Sequence, residues 1–452
     1  MSRWVLEIND IGLSVADSDR VIVHSPGQIV CTEGSRHGGM LIGQAAAGQR
    51  RINPRASHDL FWAWLDRSPL ARPVGPARSH ADLAWLHLHD LVANLPGARN
   101  QQWLLSVPAE FDDDRLALLL GIGKSLDLDI NGLVAASLAA AAASGSSRDC
   151  LVVDAQWHRF TVDPVCREAE HWQILAPQPF NSKGLGALMD AWARMVGQAF
   201  IDQTRLDPSH DAEIEQQLYD RLPGWLKVLE REPALVAELG VGTHCYRAEL
   251  PVEHFIDEAQ PFYQPVLDRI GQGTAADVVL RHRLAGLPGL AARIRQQVDG
   301  AVLEVDDHAP ASSILERAEW IAGLAQGRHE SRRSGSGIQY ILTFPLSEFS
   351  DSPAQLPEAV ALAPSHILID GRALPIGAAG FDLVERGPRA SVGWRIEHDA
   401  GQNRLVLIGG PGGALNLNGQ PAVSGTALSI GDRVGLDGRE WVLLRVDDDG
   451  SS

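Results

Sequence analysis

The sequence predicts an α/β protein followed by a smaller all-β sandwich, and three observations lead there. Apolar runs such as Leu151-Val-Val153 and Trp103-Leu-Leu105 alternate along the chain with amphipathic helical stretches, as strands and helices packed in layers require. The stretch from Leu151 to Val162 reads as a buried strand, a tight turn and a returning strand. From Ile338 onward the texture changes to short strands separated by Gly and Pro turns, the pattern of a small β-sandwich.

In order, Trp4 to Asp10 and Gly12 to Ala16 alternate apolar and polar residues around a short turn, which predicts two antiparallel strands, with Val21 to Val23 as a third. Ser25-Pro26-Gly27 breaks the pattern, Leu41-Ile-Gly43 resumes it, and Gln44 to Arg51 has helix-forming residues. Ser79 is a good N-cap for an amphipathic helix running to Leu95. Trp103 to Pro108 predicts a strand, and Asp112 to Leu126 a helix with acidic residues at its favourable end. Val134 to Ala143 reads as an Ala-rich buried helix that Ser144-Gly-Ser-Ser147 ends.

The second half predicts helices near Leu185 to Phe200 and Asp211 to Leu229, then a strand pair and helix through His244 to Ile270. Asp277 to Leu280 is a short buried strand, followed by a helix over Leu287 to Ile294 with Pro288 in its first turn. The polar, basic, Ser/Gly-rich segment 326–337 predicts a linker between a domain at 1–325 and a β-sandwich at 338–452.

With 39 Lys plus Arg against 57 Asp plus Glu, the 452-residue chain carries a net charge of −18. That charge argues against nucleic acid and anionic lipid as partners. No apolar run approaches about 18 residues and no leader pattern opens the chain, so a cytoplasmic protein without membrane insertion is expected. The four cysteines, Cys31, Cys150, Cys166 and Cys245, are scattered and show no metal-ligand spacing.

Several of these elements match a known family in order. Ser25-Pro26 with Leu41-Ile-Gly-Gln-Ala45, Val107-Pro-Ala-Glu-Phe111, the run from Leu126 to Ala136, the hairpin from Leu151 to Val162 and the stretch from Val278 to Ile294 follow one another as in heat-shock chaperones. On these residues the first 325 positions resemble the nucleotide-binding domain of the heat-shock chaperone and actin-like ATPase superfamily. The resemblance implies a duplicated actin-like fold, with Asp10 and Asp154 in its two phosphate hairpins as catalytic and Mg²⁺-holding residues. It implies Glu215, Arg281 and Arg283 at the nucleotide site.

This sequence departs from that pattern where the chemistry should sit. The first turn offers Asn9, Asp10 and Gly12 without a hydroxyl residue. The second is filled by Ala155, Gln156, Trp157, His158 and Arg159, although bare amides closing on phosphate call for Gly. The strand that should end in two glycines runs into Arg281, His282 and Arg283, and Leu218 and Tyr219 stand where a Lys is expected. The C-terminal part resembles a forkhead-associated domain, on Gly371-Arg372, Ser391, Asn418-Gly419 and Gly431-Asp432. That implies phosphothreonine-peptide binding through Arg372 and Ser391, although Trp394 replaces the His of the family's Ser-x-x-His.

Other signals have plainer readings. Asp10 and Asp154 serve equally well as turn or cap residues, and Arg281, His282 and Arg283 as a basic loop or an anion-binding cluster. His80, His87 and His89 with Asp90 suggest a metal, but His87 and His89 are two apart and fall on different helix faces. Gly121-Ile-Gly-Lys124 lacks phosphate-loop spacing, and no Gly-x-Ser-x-Gly elbow occurs. The expected function is a pseudo-ATPase acting as an interaction or assembly scaffold for protein partners, phosphorylated ones included, with no cofactor. The alternatives are an atypical ATPase using ATP and Mg²⁺, which leaves the question of an enzyme open, and a phosphothreonine reader.

Overall fold

The computed structural model describes residues 2–32, 39–168, 171–175 and 180–324 without interruption. Beyond them it describes 331–333, 339–341, 343–345, 366–369, 372–376, 381–383, 394–399, 404–409, 415–418, 420–428, 432–436 and 439–444. The chain is mixed α/β and divides into two compact units, Met1–Glu348 and Phe349–Ser452.

Two large sheets form the first unit. In one, Arg3–Asn9, Gly12–Ala16 and Val21–Pro26 run antiparallel, while Gln102–Val107 and Asp129–Ala135 continue the sheet parallel to the first strand. In the other, Cys150–Ala155, Phe160–Glu168 and His171–Ile174 are antiparallel, and Asp277–Arg281 and Val302–Val305 continue it in parallel. Counting each set in chain order, both sheets are laid out third, second, first, fourth, fifth. The central parallel strands Gln102–Val107 and Asp277–Arg281 are buried almost without alternation, because both faces are covered. Gly12 is required in the first hairpin: a Cβ there would lie 2.2 Å from the Ser25 carbonyl oxygen.

The helix Ala136–Ala143 packs against strands of both sheets. Its small side chains, with Ala139, Ala140 and Ala141 fully buried, let the sheets close around it. Ser313 Oγ from the helix Ala309–Glu316 donates to the Ala139 carbonyl at 3.0 Å. The Asp129–Ala135 strand takes in Val134, so this helix starts two residues later than periodicity suggests. Likewise Pro288 lies outside the helix Leu290–Gln297, because Gly289 caps it in the left-handed conformation. Ser79 forms a reciprocal capping box with Asp82 at the start of His80–Asn94, and Asp112 and Asp211 cap Asp113–Ser125 and Ala212–Leu229.

The unit boundary lies beyond the expected 326–337 linker. Ser331–Arg333 and Gln339–Ile341 add two strands to the first sheet, and Thr343–Pro345 adds one to the second. These short strands are recruited by free sheet edges rather than by their own composition.

The second unit contains two antiparallel sheets. One follows the order Arg372–Pro375, His366–Ile369, Arg439–Leu444, Arg433–Leu436, Leu415–Leu417, Gln420–Pro421. The other runs Phe381–Leu383, Trp394–Asp399, Arg404–Gly409, Thr426–Leu428. Ile367 and Trp441 of the first sheet share one buried cluster with Ile396, Leu405 and Leu407 of the second.

Candidate functional site

The first hairpin's turn meets the second hairpin's turn at the seam between the two sheets. Asp10 is 4% exposed, and its carboxylate accepts hydrogen bonds from the backbone amides of Trp157 and His158, the latter at 3.1 Å. Consecutive turn amides of this kind form a concavity for an anion. Here a side chain of the same chain fills it. Burial pushes the Asp10 carboxyl above its ordinary range, against the downward pull of those two amides.

The rest of the second turn is equally committed. Gln156 N donates to the Arg159 carbonyl at 2.8 Å, and the Gln156 and Arg159 side chains both reach Glu110. Trp157 Nε1 donates to Asp59 Oδ2 at 3.1 Å, and His158 Nε2 lies 3.2 Å from the Asp59 carbonyl. The carbonyls of Gln156 and Trp157 accept the amides of Leu185 and Gly186, the first residues of the 20-residue helix Leu185–Thr204. The Trp157 ring presses on this helix so closely that a Cβ on Gly186 would lie 2.7 Å from it.

Deeper in the seam, four charges bind the two sheets. Arg281 Nη2 contacts both Glu7 carboxylate oxygens at 2.7 Å, and Arg283 bridges Glu7 and Asp154, the latter at 2.9 Å. Burial alone would push the Glu7 carboxyl up, but Arg281 and Arg283 beside it hold it well below the usual carboxylate range. Burial opposes the Arg283 charge, and Asp154 and Glu7 more than restore it. Burial, with Arg283 and Arg281 adding repulsion, brings neighbouring His282 down to about 4. Such a network costs much desolvation, and losing one member leaves an uncompensated buried charge.

A third set of contacts joins segment 47–51 to the helices Leu185–Thr204 and Ala212–Leu229. Gln216, 4% exposed, accepts from the Arg51 amide at 2.7 Å and donates to the Ala47 carbonyl at 2.9 Å. The Arg51 guanidinium lies 3.6 Å from the centre of the Tyr219 ring and pairs with Asp190, which also accepts from Tyr219 Oη at 2.9 Å. Beside these contacts remains an open pocket of about 290 Å³, lined by residues that include Arg50, Asp59, His158, Lys183 and Asp190.

The structure therefore does not bring Asp10 and Asp154 together as one pair: Asp10 caps the turn amides, and Asp154 is taken by Arg283. Arg281 and Arg283 cluster as the sequence suggests, but around Glu7 and Asp154. Glu215 is separate from them, 3.8 Å from Arg51. His80, His87 and His89 have different partners. His80 pairs with Asp66, and His89 stacks on Trp85 at 4.8 Å. His87 Nδ1 accepts the Trp62 indole N–H at 2.9 Å, so its proton sits on Nε2, facing Ser25 Oγ at 2.9 Å. Burial lowers its pKa to about 3, which keeps this ring neutral and structural.

Among the described residues, no group of three or more His, Cys, Asp and Glu side chains is placed to hold a metal ion. No helix among them is long and apolar enough to cross a membrane. In the second unit, Ser391 lies outside the described residues, as does the side chain of Arg372. Asn418, at φ +53°, and Asp432 bind each other: Asn418 Nδ2 donates to Asp432 Oδ1 at 2.8 Å.

Sequence reasoning missed Glu7, Asp59, Glu110, Arg50, Arg51 and Gln216. Only Glu7 left a trace, as an acid within an otherwise buried strand. Searches for relatives add nothing to this geometry: no protein-family model matches the chain, and no curated protein matches it.

Proposed function

We propose that the first unit is a duplicated actin-like, chaperone-ATPase-like domain that has exchanged nucleotide chemistry for a self-closed seam. The chain would then act as a cytoplasmic interaction or assembly scaffold for protein partners. The observation that carries this reading is the Asp10 carboxylate seated on the Trp157 and His158 amides, where the resemblance would put phosphate oxygens. A bound phosphate would have to displace an anion tethered in the same chain, against its high effective concentration. The repeated sheet order supports the duplicated fold. The pairing of Asp154 with Arg283, which gives that carboxylate a cationic partner from its own chain, supports the loss of hydrolysis.

Calorimetric titration of the folded full-length chain with MgATP and MgADP tests the proposal. The expected result is no binding heat at up to millimolar nucleotide. Micromolar binding that Asp154→Ala abolishes would replace the scaffold with a divergent ATPase.

A further inference from the structure

The pocket beside the seam has a charge balance that the scaffold reading does not use. Its two acids are already engaged. Asp190 is held by Arg51 and Tyr219, and Asp59 accepts the Trp157 indole N–H and lies 3.6 Å from His158 Nε2. Its two cations are held more loosely: Lys183 Nζ lies 6.0 Å from the centre of the Phe262 ring. Arg50 stacks 4.7 Å over the Trp157 ring and comes only within 3.7 Å of the shared Asp190. Lys183 is exposed and makes no ion pair among the described residues.

Backbone polarity at the pocket has the same sign. Leu185–Thr204 begins without a side-chain cap and has no acid in its first turn. Its Leu185 and Gly186 amides are occupied, while the Ala187 amide at the pocket wall donates to no group among the described residues. That amide alone makes no site, but the two cations beside it supply what an anion needs. A guanidinium, an ammonium and a helix-start N–H on residues that line one pocket suit the three acceptor oxygens and double charge of a phosphate monoester. At about 290 Å³ the open pocket has room for such a group together with part of whatever carries it.

We propose that this pocket binds a phosphate monoester, held by Arg50, Lys183 and the Ala187 amide. The group could be carried by a small molecule or by a phosphorylated side chain of a partner protein. The proposal does not depend on the scaffold reading: Trp157 and His158 line the pocket, but their amides are already taken by Asp10 and none of the proposed contacts uses them.

Calorimetry on the full-length chain at low salt tests it, with inorganic phosphate, O-phosphoserine, a phosphoserine peptide, acetate and MgATP as probes. Phosphate and phosphoserine are expected to bind and acetate to bind far more weakly. Lys183→Glu should weaken phosphate at least about tenfold, one charge-assisted contact being worth roughly 1.5 kcal/mol or more. Because Lys183 is exposed, this variant should unfold at the wild-type temperature. A peptide that binds better than phosphoserine assigns the site to a protein partner, and equal affinity assigns it to a small molecule. Absence of phosphate binding, acetate binding as tight as phosphate, or an affinity unchanged in folded Lys183→Glu would overturn the proposal. MgATP binding that depends on Asp154 but not on Lys183 would instead count against the scaffold reading alone.

Discussion

Asp163 gives the seam a pH dependence that can be measured. It lies on Phe160–Glu168 and is 7% exposed. Burial, and after it the nearby Glu110 carboxylate, push its carboxyl up to about 7 from an ordinary 3.8, with Asp154 adding repulsion and Ser137 and Arg159 acting the other way. Tyr340 faces Glu110 and Asp163 and is itself pushed up, first by its burial. A group that holds its proton more tightly when folded stabilises the fold fully below its unfolded pKa. That contribution is lost as pH rises to the folded value. The window therefore runs from 3.8 to about 7.

At about 1.4 kcal/mol per pH unit, the whole difference is an upper limit of roughly 4 kcal/mol, and the span from pH 5.5 to 8 accounts for about 2 kcal/mol. Asp163→Asn keeps the shape and removes the titration. Its stability relative to wild type should therefore rise by about 2 kcal/mol over that span, as read from urea midpoints at constant ionic strength. A difference between the two proteins that stays flat from pH 5.5 to 8 would refute the reasoning.

Two further substitutions probe the seam itself. Glu7→Gln leaves Arg281 and Arg283 short of a buried counter-charge and should cost about 3–5 kcal/mol in denaturant unfolding, far more than a surface ion pair. Gly186→Ala should cost roughly 1–3 kcal/mol through overpacking against Trp157, and adding Trp157→Ala should recover part of that loss in a double-mutant cycle.

Local chemistry made much of the fold legible. The alternation from Trp4 to Asp10, the apolar Leu151-Val-Val153 and the Ser79 cap each depend on residues a few positions apart, and all three appear where expected. The boundary at Val134 was hidden because Leu133, Val134 and Ala135 form a fully buried parallel strand that runs into an equally apolar helix, so no change of period marks the join. Ser331–Arg333 read as linker because an edge strand takes its conformation from its neighbour.

The site was less legible for a related reason. Asp10 and Trp157 are 147 positions apart, and Glu7 and Arg281 are 274 apart. Nothing in either segment announces the other. The bulky second turn did announce an absence of glycine, but not that a carboxylate from the first turn would take the vacated amides.

The late strand Gln339–Ile341 has a consequence for how the protein is made. It pairs with Asp129–Ala135, whose Leu133 and Val134 are fully buried in the finished sheet. During synthesis that edge emerges roughly 200 residues before its neighbour, on the order of 10–40 s at ordinary elongation rates. Throughout that interval the growing chain presents a bare, apolar, parallel-pairing edge. Until the last two strands leave the ribosome, such an edge is a template on which another chain can pair. A chain released before residue 339 would keep that edge open permanently.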